Sequence, residues 1–230
     1  MSVEHDANNQ AVLRKAPDGL FVTGSSTNVG KTYVSQILIR QRVATGQRVG
    51  AYKPAASGLS DDQSSDFELL WQATDCRLSI DAVCPQRFQA PLAPCLAAEK
   101  EGRQVDETLL VDGLSAWTGE CDFVVIEGAG GLLSPVGWHC TNADLAVKFA
   151  YPLIVVVANV LGAVNQAFLT LAYAHSRGLQ VRELIFSDVE PTSDCVFDQH
   201  LRMFQNAGPR VIDEPLPPVR HLRHGATGFT

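Results

Sequence analysis

Two lysines and two carboxylates in this chain are placed to handle a phosphoryl group: Lys31, Lys53, Asp66 and Glu127. Lys31 stands at the end of Gly24-Ser25-Ser26-Thr27-Asn28-Val29-Gly30, a small-residue loop that follows the apolar run Leu20-Phe21-Val22-Thr23. Thr32 and Tyr33 come next, then apolar Val34, Ile37, Leu38 and Val43 at helical spacing. Strand, glycine loop and helix start are the setting of a phosphate-binding loop. Free backbone N–H groups and the positive end of the helix dipole converge there on an anion. Lys31 can reach terminal phosphates, and the Thr32 hydroxyl can ligate Mg²⁺. Five residues rather than four separate Gly24 from Gly30, so a glycine turn with a surface lysine is the plain alternative.

A bound triphosphate brings several negative charges and calls for a divalent cation with hard oxygen ligands. Glu127 closes the apolar run Phe123-Val124-Val125-Ile126, where a Walker B acid would stand. Asp66, ahead of Phe67-Glu68-Leu69-Leu70-Trp71, is the second candidate, and Lys53 sits at a strand end beside Pro54. Each has a bland reading: a solvated loop carboxylate, a helix N-terminal acid, a solvated lysine. Together, two lysines and a metal match what a transferring phosphoryl group requires. No Ser/His/Asp set competes. His221 and His224 are three residues apart with no third ligand evident, and read as a solvated tail.

The elements that must position these residues alternate. Helical patterns are expected over residues 30–44, from 66, over 96–101, 106–117, 142–149, 164–176 and 193–205. Strands are expected at 20–23, 48–52, 122–127, 152–157, 181–186 and, briefly, 210–212. Gly46 and Gly178 stop helices, and Pro54 ends the second strand because it cannot donate to a ladder. Residues 55–58 form a small-residue loop, 59–65 a polar mobile one, and 84–94 a connection with three prolines. Continuous apolar strands between helices imply right-handed βαβ units: an α/β fold with a mostly parallel central sheet flanked by helices, P-loop NTPase-like. Ligands in such folds gather past the C-terminal ends of strands, where Gly24, Lys53, Glu127, Asn159 and Ser187 all stand.

Bulk properties narrow the field. The 230 residues, 46% hydrophobic and 19% charged, suit one ordinary core-forming domain, expected over 18–230 after a loosely ordered lead-in at 1–17. A net charge of −7 argues against a nucleic-acid partner. The longest apolar run, 152–164, is too short to span a membrane. The N-terminus carries no apolar signal core, and the six cysteines form no C-x-x-C pair, so reduced thiols and a cytoplasmic location are expected.

Three segments carry a resemblance: Phe21-Val22-Thr23-Gly24 through Val29-Gly30-Lys31-Thr32, Tyr52-Lys53-Pro54-Ala55-Ala56-Ser57-Gly58, and Val125-Ile126-Glu127-Gly128-Ala129-Gly130-Gly131. They resemble dethiobiotin synthetase, and Val160-Leu161-Gly162-Ala163-Val164-Asn165 also fits. Related amidating ligases of cobalamin synthesis share parts of the pattern. The resemblance covers roughly residues 19–190. It implies ATP- and Mg²⁺-dependent closure of a cyclic urea on 7,8-diaminononanoate, with CO₂ or bicarbonate as the carbon source, in biotin biosynthesis. Carried over residue by residue, Lys31 holds the β- and γ-phosphates and Lys53 meets developing charge. Thr27 and Ser57 lie beside a carbamate. Asn28, Val29, Gly30, Thr32, Tyr33, Gly128, Ala129, Gly130, Ser187 and Asp188 surround the nucleotide. Thr32, Asp66 and Glu127 manage the metal. Leu161, Gly162, Ala163 and Asn165 form a turn that meets a partner subunit's substrate, which implies a homodimer.

Two positions depart from the family pattern. Asn28 replaces a usual glutamate, and Ser187 precedes Asp188 where Asn-Asp is common, the asparagine contacting adenine. These keep open a catalytically idle nucleotide-binding regulator, against which stand Lys31, Lys53, Asp66 and Glu127. A switch ATPase of similar fold would carry an early lysine between Gly24 and Val29, and none is there. An amide-forming ligase would need a glutamine-hydrolysing domain that 230 residues cannot house.

Overall fold

The computed structural model describes residues 16–59, 64–75, 77–191, 193–212 and 214–230. The expectations for residues 1–15, and for most of the polar stretch 59–65, fall outside the described residues.

The first half runs β1 (Asp18–Gly24), α1 (Lys31–Val43), β2 (Val49–Tyr52), β3 (Ala55–Ala56), α2 (Asp66–Ala73), α3 (Ile80–Val83), β4 (Gln86–Arg87), α4 (Pro94–Lys100) and α5 (Glu107–Asp112). It continues as β5 (Phe123–Glu127), α6 (Asn142–Phe149), β6 (Leu153–Ala158), α7 (Ala163–Ser176), β7 (Val181–Ser187), α8 (Asp194–Val211) and β8 (Val219–Leu222). Six strands pair in the order β2-β5-β1-β6-β7-β8, every pairing parallel. β3 and β4 form a separate two-stranded ladder.

β1 occupies the middle because its side chains suit burial on both faces: Leu20, Phe21 and Val22 are all in the core. Val22 faces Glu127 on β5, and Gly24 faces Val156 on β6. β5 and β6 are buried along their whole length, which their apolar runs anticipate. Each buried Val, Ile or Leu is worth about 1.5–3 kcal/mol, so the central strands form a rigid platform for the loops at their C-terminal ends.

Helix starts follow local rules. α2 begins at a capping box, with the Ser65 and Glu68 side chains and backbones satisfying one another, which fixes Asp66 at its first position. α6 is capped by Thr141 rather than Asn142, again with a reciprocal partner, Asp144. Asn142 is thereby released for the loop after β5.

The structure corrects the chain's C-terminal third. Residues 210–211 end α8 instead of forming a strand at 210–212. Pro209 lacks an N–H, but the ladder resumes beyond it as Ile212 N–H donates to the Gly208 carbonyl at 2.9 Å. The expected polar tail contributes β8, a sixth strand parallel to β7, with His221 buried. The helix expected over 106–117 divides into α5 and a 3₁₀ turn, Gly113–Trp117. Residues 55–56, expected as loop, form β3.

Candidate active site

β1 stops at Gly24, where the Ser25 N–H donates to the Val156 carbonyl, and the chain turns through residues 25–29 into α1. Gly30 is the N-cap of α1, with φ 92°. A Cβ built there would lie 2.5 Å from Ser187 Oγ, so both the left-handed backbone and the close approach of β7 require glycine. Lys31 folds back over the loop, its Nζ donating to the Ser26 carbonyl at 2.9 Å. Burial lowers Lys31 to about 8; nearby Lys53 pushes the same way, while Glu127 and Asp66 oppose.

Behind the loop, α1 and the segment just past β2 converge on Glu127 at the end of β5. Its Oε1 accepts from Thr32 Oγ1 at 2.9 Å and from Lys53 Nζ at 2.6 Å. Its Oε2 accepts from Ser35 Oγ at 2.7 Å. Lys53, one residue beyond β2, also donates to Asp66 Oδ2 at 2.8 Å. Glu127 and Lys53 are buried, whereas Asp66 is exposed. Burial disfavours the Lys53 ammonium, but Glu127 and Asp66 outweigh it and hold its pKa above the usual lysine range. The Lys53 ammonium in turn lowers Asp66. A full positive charge therefore sits in an oxygen cradle at the C-terminal edge of the sheet.

A cavity of about 510 Å³ opens over this cluster. It is lined by Lys31, Thr32 and Asp66, by Tyr33, Gln36 and Leu69, and, from the C-terminal part of the chain, by Ser187, Asp188, Val189, His224 and Gly225. Asn28 and Gly30 complete it. Next to Ser187, Asp188 accepts from Asn159 Nδ2 at 2.7 Å and pairs with His221 Nε2 at 2.9 Å. Asn159 Oδ1 lies 2.7 Å from His200 Nδ1. His221 stacks on Phe197, ring centroids 4.2 Å apart, and His200 on Phe186. The last residues are tied in: Tyr33 Oη donates to the Ala226 carbonyl at 2.5 Å, and Thr230 pairs with the His221 backbone.

The structure thus gathers Asn28, Gly30, Lys31, Thr32, Tyr33, Asp66, Ser187 and Asp188 around one cavity, with Lys53 and Glu127 beneath it. Val29 is buried under the loop, its methyl against Gly24. Other expected residues stand apart from that cavity. Thr27 is exposed near Gly130, and Ser57 donates to the Leu92 carbonyl. Gly128, Ala129 and Gly130 form a turn held by Asn142, which bonds the Ala129 N–H and the Ala129 and Gly131 carbonyls. Leu161 is 98% exposed, Gly162 caps α7 with φ 92°, Ala163 is buried, and Asn165 is exposed on the first turn. None of these lines the first cavity. A second one, about 450 Å³, lies between the turn after β5 and α7, lined by Ser25, Gly131, Leu133, Gln166, Leu169 and Tyr173 among others.

Several residues of the site escape the sequence. Ser35 had a signal: it is one turn after Lys31, on the same face of α1. At the start of α6 the sequence offers Asn142 or Thr141 as a cap, and nothing in it marks Asn142 as a loop anchor. His221 and His200 gave none, because their partners Asp188 and Asn159 are 33 and 41 residues away. His221 is a buried partner of Asp188, not part of a solvated tail.

A parallel sheet whose middle strand runs through a glycine loop into a helix headed by lysine and threonine defines the P-loop class of α/β proteins. The structure of the signal recognition particle receptor FtsY from Elizabethkingia anophelis shares the fold. Its TM-score is 0.51 at 18% identity, over 93% of this chain and 61% of that one. A family model described as an AAA domain matches residues 18–222. ATP-dependent dethiobiotin synthetase BioD of Anaeromyxobacter sp. (strain K) is 43% identical over 176 residues, which is 76% of this chain and 79% of that protein. The corresponding protein of Rhodopirellula baltica is 41% identical, over 76% of this chain and 74% of its own length. BioD 1 of Escherichia coli O157:H7 is 35% identical, over 74% and 78%. The chain belongs to the dethiobiotin synthetase family.

Proposed function

We propose that this chain converts 7,8-diaminononanoate, CO₂ or bicarbonate and ATP into dethiobiotin, ADP and phosphate, as an enzyme of biotin biosynthesis. The observation that carries the reading is the Lys53 ammonium bridging Asp66 and Glu127 beside the Lys31 loop. The reaction needs a poor electrophile made attackable. One substrate amine takes up CO₂ as a carbamate, whose oxygen attacks the γ-phosphorus as ADP leaves. The second amine then attacks the carbamate carbon, expels phosphate and closes the urea ring.

In this reading Lys31 leaves the Ser26 carbonyl to meet the β- and γ-phosphates, while Asn28, Val29 and Gly30 offer backbone N–H groups. Lys53 meets the charge that grows on the transferring group. Thr27 and Ser57 flank the carbamate, and Gly128, Ala129 and Gly130 shape the wall between the two reactants. Ser187, Asp188 and Tyr33 form the base end of the nucleotide site. Mg²⁺ fits the donors: the cradle already holds a positive charge on hard oxygens, and Thr32, Asp66 and Glu127 would be its ligands. When bound, the ion would offset phosphate charge.

The substrate reading extends to a homodimer. Leu133 and Leu169 are large exposed apolar residues lining the second cavity, Leu161 is a third exposed one just before α7, and the Leu161-Gly162-Ala163 turn leads into a helix N-terminus of the kind that suits a carboxylate. Gly162, Ala163 and Asn165 would then hold the partner's substrate. The five described cysteines, Cys84, Cys95, Cys121, Cys140 and Cys195, are free thiols, which supports work in the reducing cytoplasm. No helix among the described residues is long and apolar enough to cross a membrane. Residues 18–230 act in this account as a single P-loop domain.

The test is direct. With labelled bicarbonate, 7,8-diaminononanoate, ATP and Mg²⁺, dethiobiotin carrying the label is expected by mass spectrometry. Product without label, or ATP cleavage without product, overturns the reading. Sedimentation of the active protein as a monomer would remove the shared site.

A further inference from the structure

Glu127 is wholly buried, and an ionised carboxylate in that position needs its oxygens hydrogen-bonded. Its three donors differ in what else they do. Thr32 borders the cavity, and Lys53 also grips Asp66, so both groups meet ligands in the function proposed above. Ser35 is fully buried and donates to Oε2 at 2.7 Å, on the side of the carboxylate away from those two contacts. Thr32 and Ser35 are three residues apart on α1, so one helix face presents two hydroxyls to the two oxygens of one carboxylate. The terminal torsion of a glutamate is soft and two-fold, and donors on both oxygens are what fix it.

We propose that Ser35 is a positioning residue for the reaction. By occupying Oε2 it commits Oε1 to the site, and it keeps that aim when Thr32 and Lys53 turn to bound ligands. The proposal rests on the reading of Thr32, Asp66 and Glu127 as the Mg²⁺ donors. Loss of an outer partner that orients a ligating carboxylate commonly weakens metal binding about 10- to 100-fold.

The experiment uses the full chain with a non-hydrolysable ATP analogue and Mn²⁺, bound ion being read by loss of the free-ion paramagnetic resonance signal. Ser35→Ala is expected to raise the Mn²⁺ dissociation constant about 10- to 100-fold, while metal-free binding of the analogue stays within about threefold of wild type. Ser35→Thr, which keeps the hydroxyl, restores most of the affinity. The apparent KM for Mg²⁺ rises more than kcat falls. Ile39→Val is the control: it trims a buried residue of the same helix without touching Glu127, and is expected to lower thermal stability alone. Unchanged Mn²⁺ affinity in Ser35→Ala, or equal weakening by Ile39→Val, overturns the proposal and leaves Ser35 a packing residue. If Ser35→Ala does not fold, Ser35→Cys, similar in size with a weaker donor, must show an intermediate loss or the proposal fails. Wild type that binds no Mn²⁺ with the analogue present is a different failure: it removes the Thr32–Asp66–Glu127 assignment itself.

Discussion

At the Lys31 end of the cavity, the charged groups remain within reach of a ligand. Asp66 is exposed, Lys53 is shared between two carboxylates, and Thr32 stands on the cavity wall. At the Ser187 end, Asp188 spends both carboxylate oxygens inside the protein, on Asn159 and His221, and aromatic rings pack against the imidazoles behind it. One end holds charge that can be re-partnered when a phosphate or cation arrives. The other uses charge to fix a wall, so under the proposed function its reading of a ligand would fall to Ser187, the backbone and the last turn of the chain. A carboxylate says little about function until its partners are known.

The sharpest way to break this contrast is Lys53→Ala. Removing the shared ammonium is expected to cut turnover by about 100- to 1000-fold with much less loss of nucleotide binding, since its charge matters most as charge develops. Steady-state rates beside equilibrium binding decide it, and equal turnover would remove Lys53 from the chemistry.

The opposite pattern is expected from His221→Ala. It strips a partner from buried Asp188 and should cost about 2–3 kcal/mol of stability, with a raised KM for nucleotide and kcat little changed. Denaturant unfolding and kinetics read both. A fall in kcat alone would mean that the far end takes part in the chemistry.

Titration separates the ends further. Lys31, held near 8 chiefly by burial, is charged below that pH and neutral above it. Affinity for a nucleoside triphosphate should therefore fall as pH rises above 8, by at most about tenfold per unit, with proton uptake on binding near pH 8–9. The stability effect has the opposite sign. The penalty of burying the ammonium is complete below about 8 and fades as pH climbs toward the ordinary lysine value of 10.5. Calorimetry in buffers of different ionisation enthalpy would show the uptake; none would mean that Lys31 has the same protonation state free and bound.

The smallest effect belongs to the base. Ser187 is buried against Gly30 and offers one hydroxyl, so discrimination among ATP, CTP and GTP should be worth only about 1–2 kcal/mol. Ser187→Asn is expected to sharpen it, because an amide presents both a donor and an acceptor. Steep wild-type selectivity unchanged by Ser187→Asn would place base reading in the backbone of Asp188–Val189 or in the final turn.

The same contrast governs what could be read from the sequence. The phosphate end is written locally: an apolar strand, a small-residue loop, Gly30-Lys31-Thr32, and a buried run closed by Glu127. Short-range geometry puts each of those groups at a strand end or a helix start, and pairing of β5 with its neighbours β1 and β2 brings Glu127 to Thr32 and Lys53. Even Asp66 is set by its neighbours, through the Ser65–Glu68 capping box. The far end is assembled from Asn159, Asp188, His200 and His221, which lie after β6, after β7, in α8 and in β8. No period or spacing links them; only the pairing of β8 with β7 brings His221 to Asp188. A proline within α8 and a four-residue edge strand in a proline-rich stretch hide that pairing from any local rule.

The placement of β1 also bears on how the chain is made. Its neighbours on either side are β5 and β6, so Asp18 finds Phe123 and Phe21 finds Leu153 only across about half of the sequence. As the chain leaves the ribosome, its phosphate loop has no sheet to join until those later segments emerge. Contacts of such long range carry their loop-closure cost before any return, and they make folding slow. The nascent β1 is an unpaired apolar strand for much of synthesis, the species that chaperones protect and that aggregates when they do not. A truncation before β5 therefore should yield no nucleotide-binding fragment, although the whole phosphate loop lies in the first 32 residues.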